Sequence, residues 1–139
     1  MIKFRLHIKN NDFGLKGYFL IQIWDKKQDM VEHTQYNAHA VTVLPYTPSG
    51  NNSKIITLNF WVRRLGIEYV IHELSHALLE WSRRNNLQVQ AYEDKFYRDE
   101  ELFCQILGEL SQQFYRKLYK LGLTEQQDFV ESRAFRKNV

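Results

Sequence analysis

The hydrophobic pattern of this 139-residue chain changes its period near residue 65, and that change limits the possible folds more than any other feature. Before this point apolar and polar residues alternate, as they do over residues 2–9. After it, apolar residues recur every three or four positions. A period of two is typical of strands with one wet face, whereas a period near 3.6 is typical of amphipathic helices. Strands followed by helices predict an α+β domain.

Four strands are predicted in the first half of the chain, over residues 2–8, 18–24, 39–44 and 55–60. The polar residues 25–36 fit neither period and stay ambiguous. We expect three or four strands to form an N-terminal antiparallel sheet, because alternating patterns suit sheets with one solvated face. The strand at 55–60 is either an ordinary sheet strand or an edge that binds an extended peptide by strand addition.

Two long helices and a short one are predicted in the second half. The first covers residues 67–84, where apolar residues form a wide stripe at helical spacing. The second begins at Asp94 or Asp99 and ends at Leu121, and the third opens at Thr124. Together with the sheet they are expected to form one domain over residues 1–139.

Composition and charge exclude several classes of protein. The lone Cys104 cannot form an internal disulfide and is expected to be a small buried packing residue. The net charge of +3 is small and spread, which argues against a nucleic-acid partner. Charges interrupt the apolar residues of the N-terminus, so no secretory signal is predicted. No stretch approaches the roughly 18 apolar residues of a membrane span. We expect a cytoplasmic protein with no membrane partner and leave its oligomeric state open.

The motif with the clearest chemistry is His72-Glu73-Leu74-Ser75-His76, an HExxH pattern in the middle of the first long helix. Residues four apart stack on one face of a helix, so both imidazoles can reach one Zn²⁺. Glu73 then lies beside the open coordination position, where it can accept a proton from metal-activated water. Apolar neighbours on both sides lead us to expect a dry, rigid wall around the histidines. The alternative interpretation is a helix with two surface histidines in contact.

A third protein ligand is expected, because catalytic zinc commonly has three. No histidine follows His76, so a carboxylate on the second long helix is the natural candidate. Glu101 shares a helix face with Cys104 and Gly108, whose small size would let two helices approach closely, and it is therefore preferred over Glu100. Weaker options are Glu93, Asp94 and Glu109.

These residues resemble the gluzincin group of HExxH metallopeptidases. In thermolysin-type members the ligand glutamate is followed by a small residue three positions on and a glycine seven positions on. Cys104 and Gly108 match these offsets from Glu101, while Gln105 stands where an aspartate is expected. The chain is also similar to small phage- and prophage-encoded metallopeptidases. The resemblance covers roughly residues 55–115.

The resemblance implies a minimal zincin-like fold and a zinc-dependent metallopeptidase. Such an enzyme hydrolyses peptide bonds with metal-activated water, here with Glu73 as the base and a peptide or protein as substrate. The alternative is a non-catalytic zinc-binding or phage-associated binding protein that retains the zincin fold. Candidates for stabilising the oxyanion are Tyr92, Tyr97, Arg98 and Tyr115. A second metal site at His33 and His39 is weighed against ordinary solvated or sheet histidines.

Overall fold

The computed structural model describes residues 1–10, 15–44, 55–89 and 97–123. Its elements are β1 (Ile2–Asn10), β2 (Leu15–Trp24), α1 (Lys27–Thr34), β3 (Ala40–Val43), β4 (Thr57–Trp61), α2 (Ile67–Arg84) and α3 (Tyr97–Lys120). The predicted α+β class is confirmed, with a four-stranded sheet followed by two long helices. The short helix expected from Thr124 onward lies outside the described residues.

The sheet is mixed, with the strand order β1-β2-β4-β3. The outer pairs β1–β2 and β3–β4 are antiparallel, whereas the central pair β2–β4 is parallel. The expectation of a purely antiparallel sheet is therefore wrong for this central pair. A parallel pair needs a long crossover connection, which here contains α1 and β3.

The first helix, α1, occupies the segment whose pattern was ambiguous. Its eight residues bury only Met30 and Thr34, and the Thr34 hydroxyl donates to the Met30 carbonyl 2.9 Å away. So short an element, with so few buried residues, shows no clear helical stripe in the sequence. It lies against β2 and β4.

The hydrophobic core lies between the sheet and the two long helices. The aromatic ring of Phe114 on α3 is fully buried and lies 5.3 Å from the ring of Phe60 and 5.8 Å from that of Phe4, centroid to centroid. These contacts fix α3 beneath β1 and β4. The buried stripe of α2 consists of Val70, Leu74, Ala77, Leu78 and Trp81.

The edges of the sheet differ from expectation. The predicted strand at 55–60 appears as β4, which pairs with a neighbour on each side and is therefore an interior strand. The edge interpretation of that strand is wrong, and the ordinary-strand interpretation is right. Among the described strands, the edge on this side is β3, which lies next to α2. Within the described ranges, no helix combines the length and apolar character needed to cross a bilayer.

Candidate metal centre

His72 and His76 lie one helical turn apart on α2, and their side chains meet. Their Nε2 atoms are 3.1 Å apart, and the ring centroids are separated by 4.8 Å with an interplanar angle of 76°. At this distance one imidazole can donate a hydrogen bond to the other, as in the alternative of two surface histidines in contact. The spacing of four residues explains why the two rings meet, and metal binding by them stays a prediction.

The separation of the two nitrogens suits a zinc ion. Imidazole nitrogens are common zinc ligands, and His72 and His76 would supply two of them, since their Nε2 atoms already lie 3.1 Å apart. The two histidines therefore fit the metal that the motif implies.

The environment of the histidines differs from the apolar, water-excluding surroundings expected from their neighbours in sequence. Both imidazoles are exposed, while the buried stripe of α2 faces the sheet on the other side of the helix. Val70, Leu74 and Ala77 fill that stripe, so the apolar neighbours in sequence turn away from the histidines. Adjacent residues on a helix point about 100° apart, which explains why a motif within an apolar segment faces solvent.

Glu73, which carries the carboxylate of the motif, is buried, with 6% of its surface exposed. Its Oε2 lies 2.5 Å from the hydroxyl of Thr42 on β3, and its main-chain carbonyl oxygen lies 3.0 Å from the same hydroxyl. A hydroxyl has a single hydrogen, so it donates to one of these acceptors at a time. Either bond ties Glu73 to the edge strand. Nothing in the sequence pointed to Thr42, because its pairing depends on the packing of β3 against α2.

The third ligand expected from α3 is not brought to the histidine pair. Among the residues that the structure describes, no three His, Cys, Asp or Glu side chains form a group that could hold a metal ion. Glu101 is exposed, as are Cys104 and Gly108 on the same face. Apart from the backbone of α3 itself, no heavy atom of the described residues lies within 4 Å of a Cβ added at Gly108, so no described helix packs closely at this position.

The face with Glu101, Cys104 and Gly108 is therefore not the packed face of α3, although Glu101 as a ligand stays a prediction. The buried face of α3 is formed instead by Leu102, Ile106, Leu110, Phe114 and Leu118. This face turns Cys104 to solvent, so the expectation that it is a buried packing residue is wrong. Glu100 is half-buried and Glu109 is exposed, while Glu93 and Asp94 lie outside the described residues.

The other histidines fill separate places. His33 lies against Trp24, with ring centroids 5.0 Å apart, and His39 stacks on Trp61 at 5.9 Å. No metal-binding group that includes either of them occurs in the described ranges, which leaves the second metal site without support.

Only part of the oxyanion candidate set is described. Burial raises the pKa of Tyr115 to about 12, so this phenol keeps its proton at neutral pH. Arg98 is exposed, with its Nε 3.7 Å from an oxygen of Asp99. Tyr92 lies outside the described residues.

Comparison with known proteins gives no match: no family model, no curated protein and no solved structure is significantly similar to this chain.

Proposed function

We propose that this chain is a zinc-dependent metallopeptidase in which His72 and His76 hold the metal and Glu73 is the catalytic base. The observation that carries the proposal is the 3.1 Å approach of the two Nε2 atoms, which suits a shared metal ion. The presence of a glutamate directly after the first histidine supports catalysis rather than simple metal storage, since a structural site needs no base.

A bound zinc ion lowers the pKa of water toward about 7 and polarises a carbonyl group. The residues of the chain supply the rest. Oε2 of Glu73 is held by Thr42, whereas its Oε1 has no hydrogen-bond partner among the described residues. We assign Oε1 the role of accepting a proton from the attacking water and passing it to the leaving amine. Thr42 is a positioning residue, because it acts through the carboxylate that it holds.

The peptide substrate is proposed to lie along β3. This strand is the edge of the sheet beside α2, and Thr42 connects it directly to Glu73. An edge strand offers unpaired main-chain donors and acceptors to an extended peptide. A peptide or protein chain added here would pass next to the proposed base.

The test is cleavage of a peptide library by the wild-type protein and by two matched variants. Glu73→Gln removes the base, while Glu68→Gln changes an exposed glutamate on the same helix. We expect cleavage by the wild type and Glu68→Gln, with a loss of about 10²–10⁴-fold in Glu73→Gln. Equal cleavage by all three proteins would refute the role of Glu73, and no cleavage by any of them would refute the peptidase proposal.

A non-catalytic zinc-binding or phage-associated protein is the second candidate. It is favoured by the placement of Glu73 on the buried side of α2 while both histidines face solvent. Zinc binding without cleavage is its expected result. Comparison of zinc affinity in Glu101→Ala and Glu100→Ala tests the third ligand, and we expect the larger loss for Glu101→Ala.

We also propose that the protein acts in the cytoplasm. The thiol of Cys104 is free and exposed on α3, a state that reducing compartments preserve. Fractionation of producing cells tests this proposal, and recovery of the protein outside the cytoplasmic fraction would contradict it.

A further inference from the structure

A basic groove runs between β1 and the C-terminal half of α3, at the opposite edge of the sheet from β3. Its volume is about 430 Å³. It is lined by Phe4, Arg5, Leu6, His7, Gln113, Arg116, Lys117 and Lys120. Strands β2 and β4 separate β1 from β3, so the groove lies about 14 Å of sheet width from the edge that carries Thr42. It is therefore a different site from the proposed metal centre.

The groove is strongly positive for so small a surface. Four of its eight lining residues are permanently charged cations, and none of the described lining residues is acidic. Arg116 and Lys120 are one helical turn apart, about 6 Å along the axis, and both are exposed. No carboxylate of the described chain forms an ion pair with either of them. Within the described part of the chain, the surface thus lacks ion pairs that would neutralise Arg116 and Lys120.

The contacts of the groove argue against an added peptide strand. Gln113 donates from Nε2 to the His7 carbonyl at 2.8 Å and accepts from the His7 main-chain N–H at 3.0 Å. This side chain occupies the outer edge of β1 as a neighbouring strand would, so strand addition is blocked at His7. Recognition here depends instead on the charged side chains.

Aromatic side chains flank these cations. Tyr119 is 77% exposed and lies three residues after Arg116 on the helix surface. On the strand, the Arg5 guanidinium lies 4.5 Å from the centre of the Tyr18 ring. Tyr18 is partly buried, so Tyr119, which lies beside the groove without lining it, is the ring on which a base can stack. Cations along a phosphate backbone next to an exposed ring are typical of surfaces that bind single-stranded nucleic acid.

We propose that this groove binds the phosphate backbone of single-stranded nucleic acid without sequence preference. The small net charge of the whole chain predicts no nucleic-acid partner, because a net charge does not show how the cations are distributed over the surface. Three of the cations, Arg116, Lys117 and Lys120, come from α3, and Arg5 of β1 also lines the groove, although its guanidinium lies over the Tyr18 ring. The proposal does not depend on the metallopeptidase assignment.

The experiment is fluorescence anisotropy of a labelled oligothymidylate of about 12 nucleotides, a length within the usual range of binding sites. The full chain is titrated at several salt concentrations. Arg116→Gln combined with Lys120→Gln removes two groove charges, and Lys26→Gln with Arg63→Gln is the matched control. The control removes the same charge from exposed positions that do not line the groove. Circular dichroism confirms that both double variants fold.

We expect salt-dependent binding in which each phosphate contact contributes about 0.7 to the slope of log K against log salt. The groove double variant should lower the magnitude of that slope by about 1.4 and weaken binding roughly 25-fold at 0.1 M salt. The control should bind as the wild type does. Absence of salt-dependent binding, equal binding by the two double variants, or equal competition by polyglutamate would each overturn the proposal.

Discussion

The bond between Thr42 and Glu73 gives a measurable prediction about stability. Thr42→Val keeps the shape of the side chain and removes the hydroxyl, which leaves the buried Oε2 of Glu73 without its donor. A hydrogen bond to a charged group contributes about 1.5–3 kcal/mol, and Glu73 is only 6% exposed, so solvent replaces the donor poorly. We therefore expect the free energy of unfolding to fall by about 1.5–3 kcal/mol.

Thermal and urea unfolding, followed by circular dichroism, measure this loss. For a chain of 139 residues, 1 kcal/mol corresponds to a change in Tm of about 3.5 °C, so the expected fall is about 5–10 °C. Thr57→Val is the control, because the Thr57 hydroxyl on β4 has no hydrogen bond to a described residue and the change should stay within about 0.5 kcal/mol. If the two variants were equally stable, Thr42 would not hold the carboxylate.

Further predictions concern packing, helix propensity and ionisation. Gly17→Ala should destabilise the fold by about 1–3 kcal/mol, because its Cβ would lie 2.9 Å from Nε1 of the buried Trp81. Gly108→Ala should stabilise it by about 1 kcal/mol, since alanine favours an exposed helix position with open space around it. Phe114→Ala should cost about 3–5 kcal/mol in urea unfolding, because the ring is fully buried. Burial raises the pKa of Tyr115 from 10.0 to about 12. The contribution of this residue to the free energy of unfolding is therefore fully present below pH 10 and lost as pH rises toward 12. Unfolding measured across that range should show this loss in the wild type and not in Tyr115→Phe.

The sequence predicts most of the elements that position the site. The two periods identify the strands and the two long helices, because each pattern repeats along one buried face of a strand or over several turns of a helix. The order of the sheet was beyond such reasoning, since pairing of β2 with β4 depends on a crossover through α1, whose pattern is too weak to recognise. The edge strand depends on that order, so it was not predicted either.

The site itself was predicted in part. Convergence of His72 and His76 follows from helix geometry alone, because residues four apart share a face. Their exposure and the pairing of Glu73 with Thr42 depend on how α2 rotates against the sheet. The spacing of the motif residues does not determine that rotation, because apolar residues stand on both sides of the motif in the sequence. The preference for Glu101 assumed that the face with Cys104 and Gly108 packs inward, whereas that face of α3 is exposed.

Elemental analysis of the purified protein determines whether His72 and His76 bind zinc. We predict about one zinc ion per chain in the wild type and in Glu68→Gln, and its loss in His72→Ala and His76→Ala. Removing either imidazole leaves a single nitrogen where the structure brings two together at 3.1 Å. Wild-type protein without zinc, or zinc retained in both histidine variants, would contradict the account.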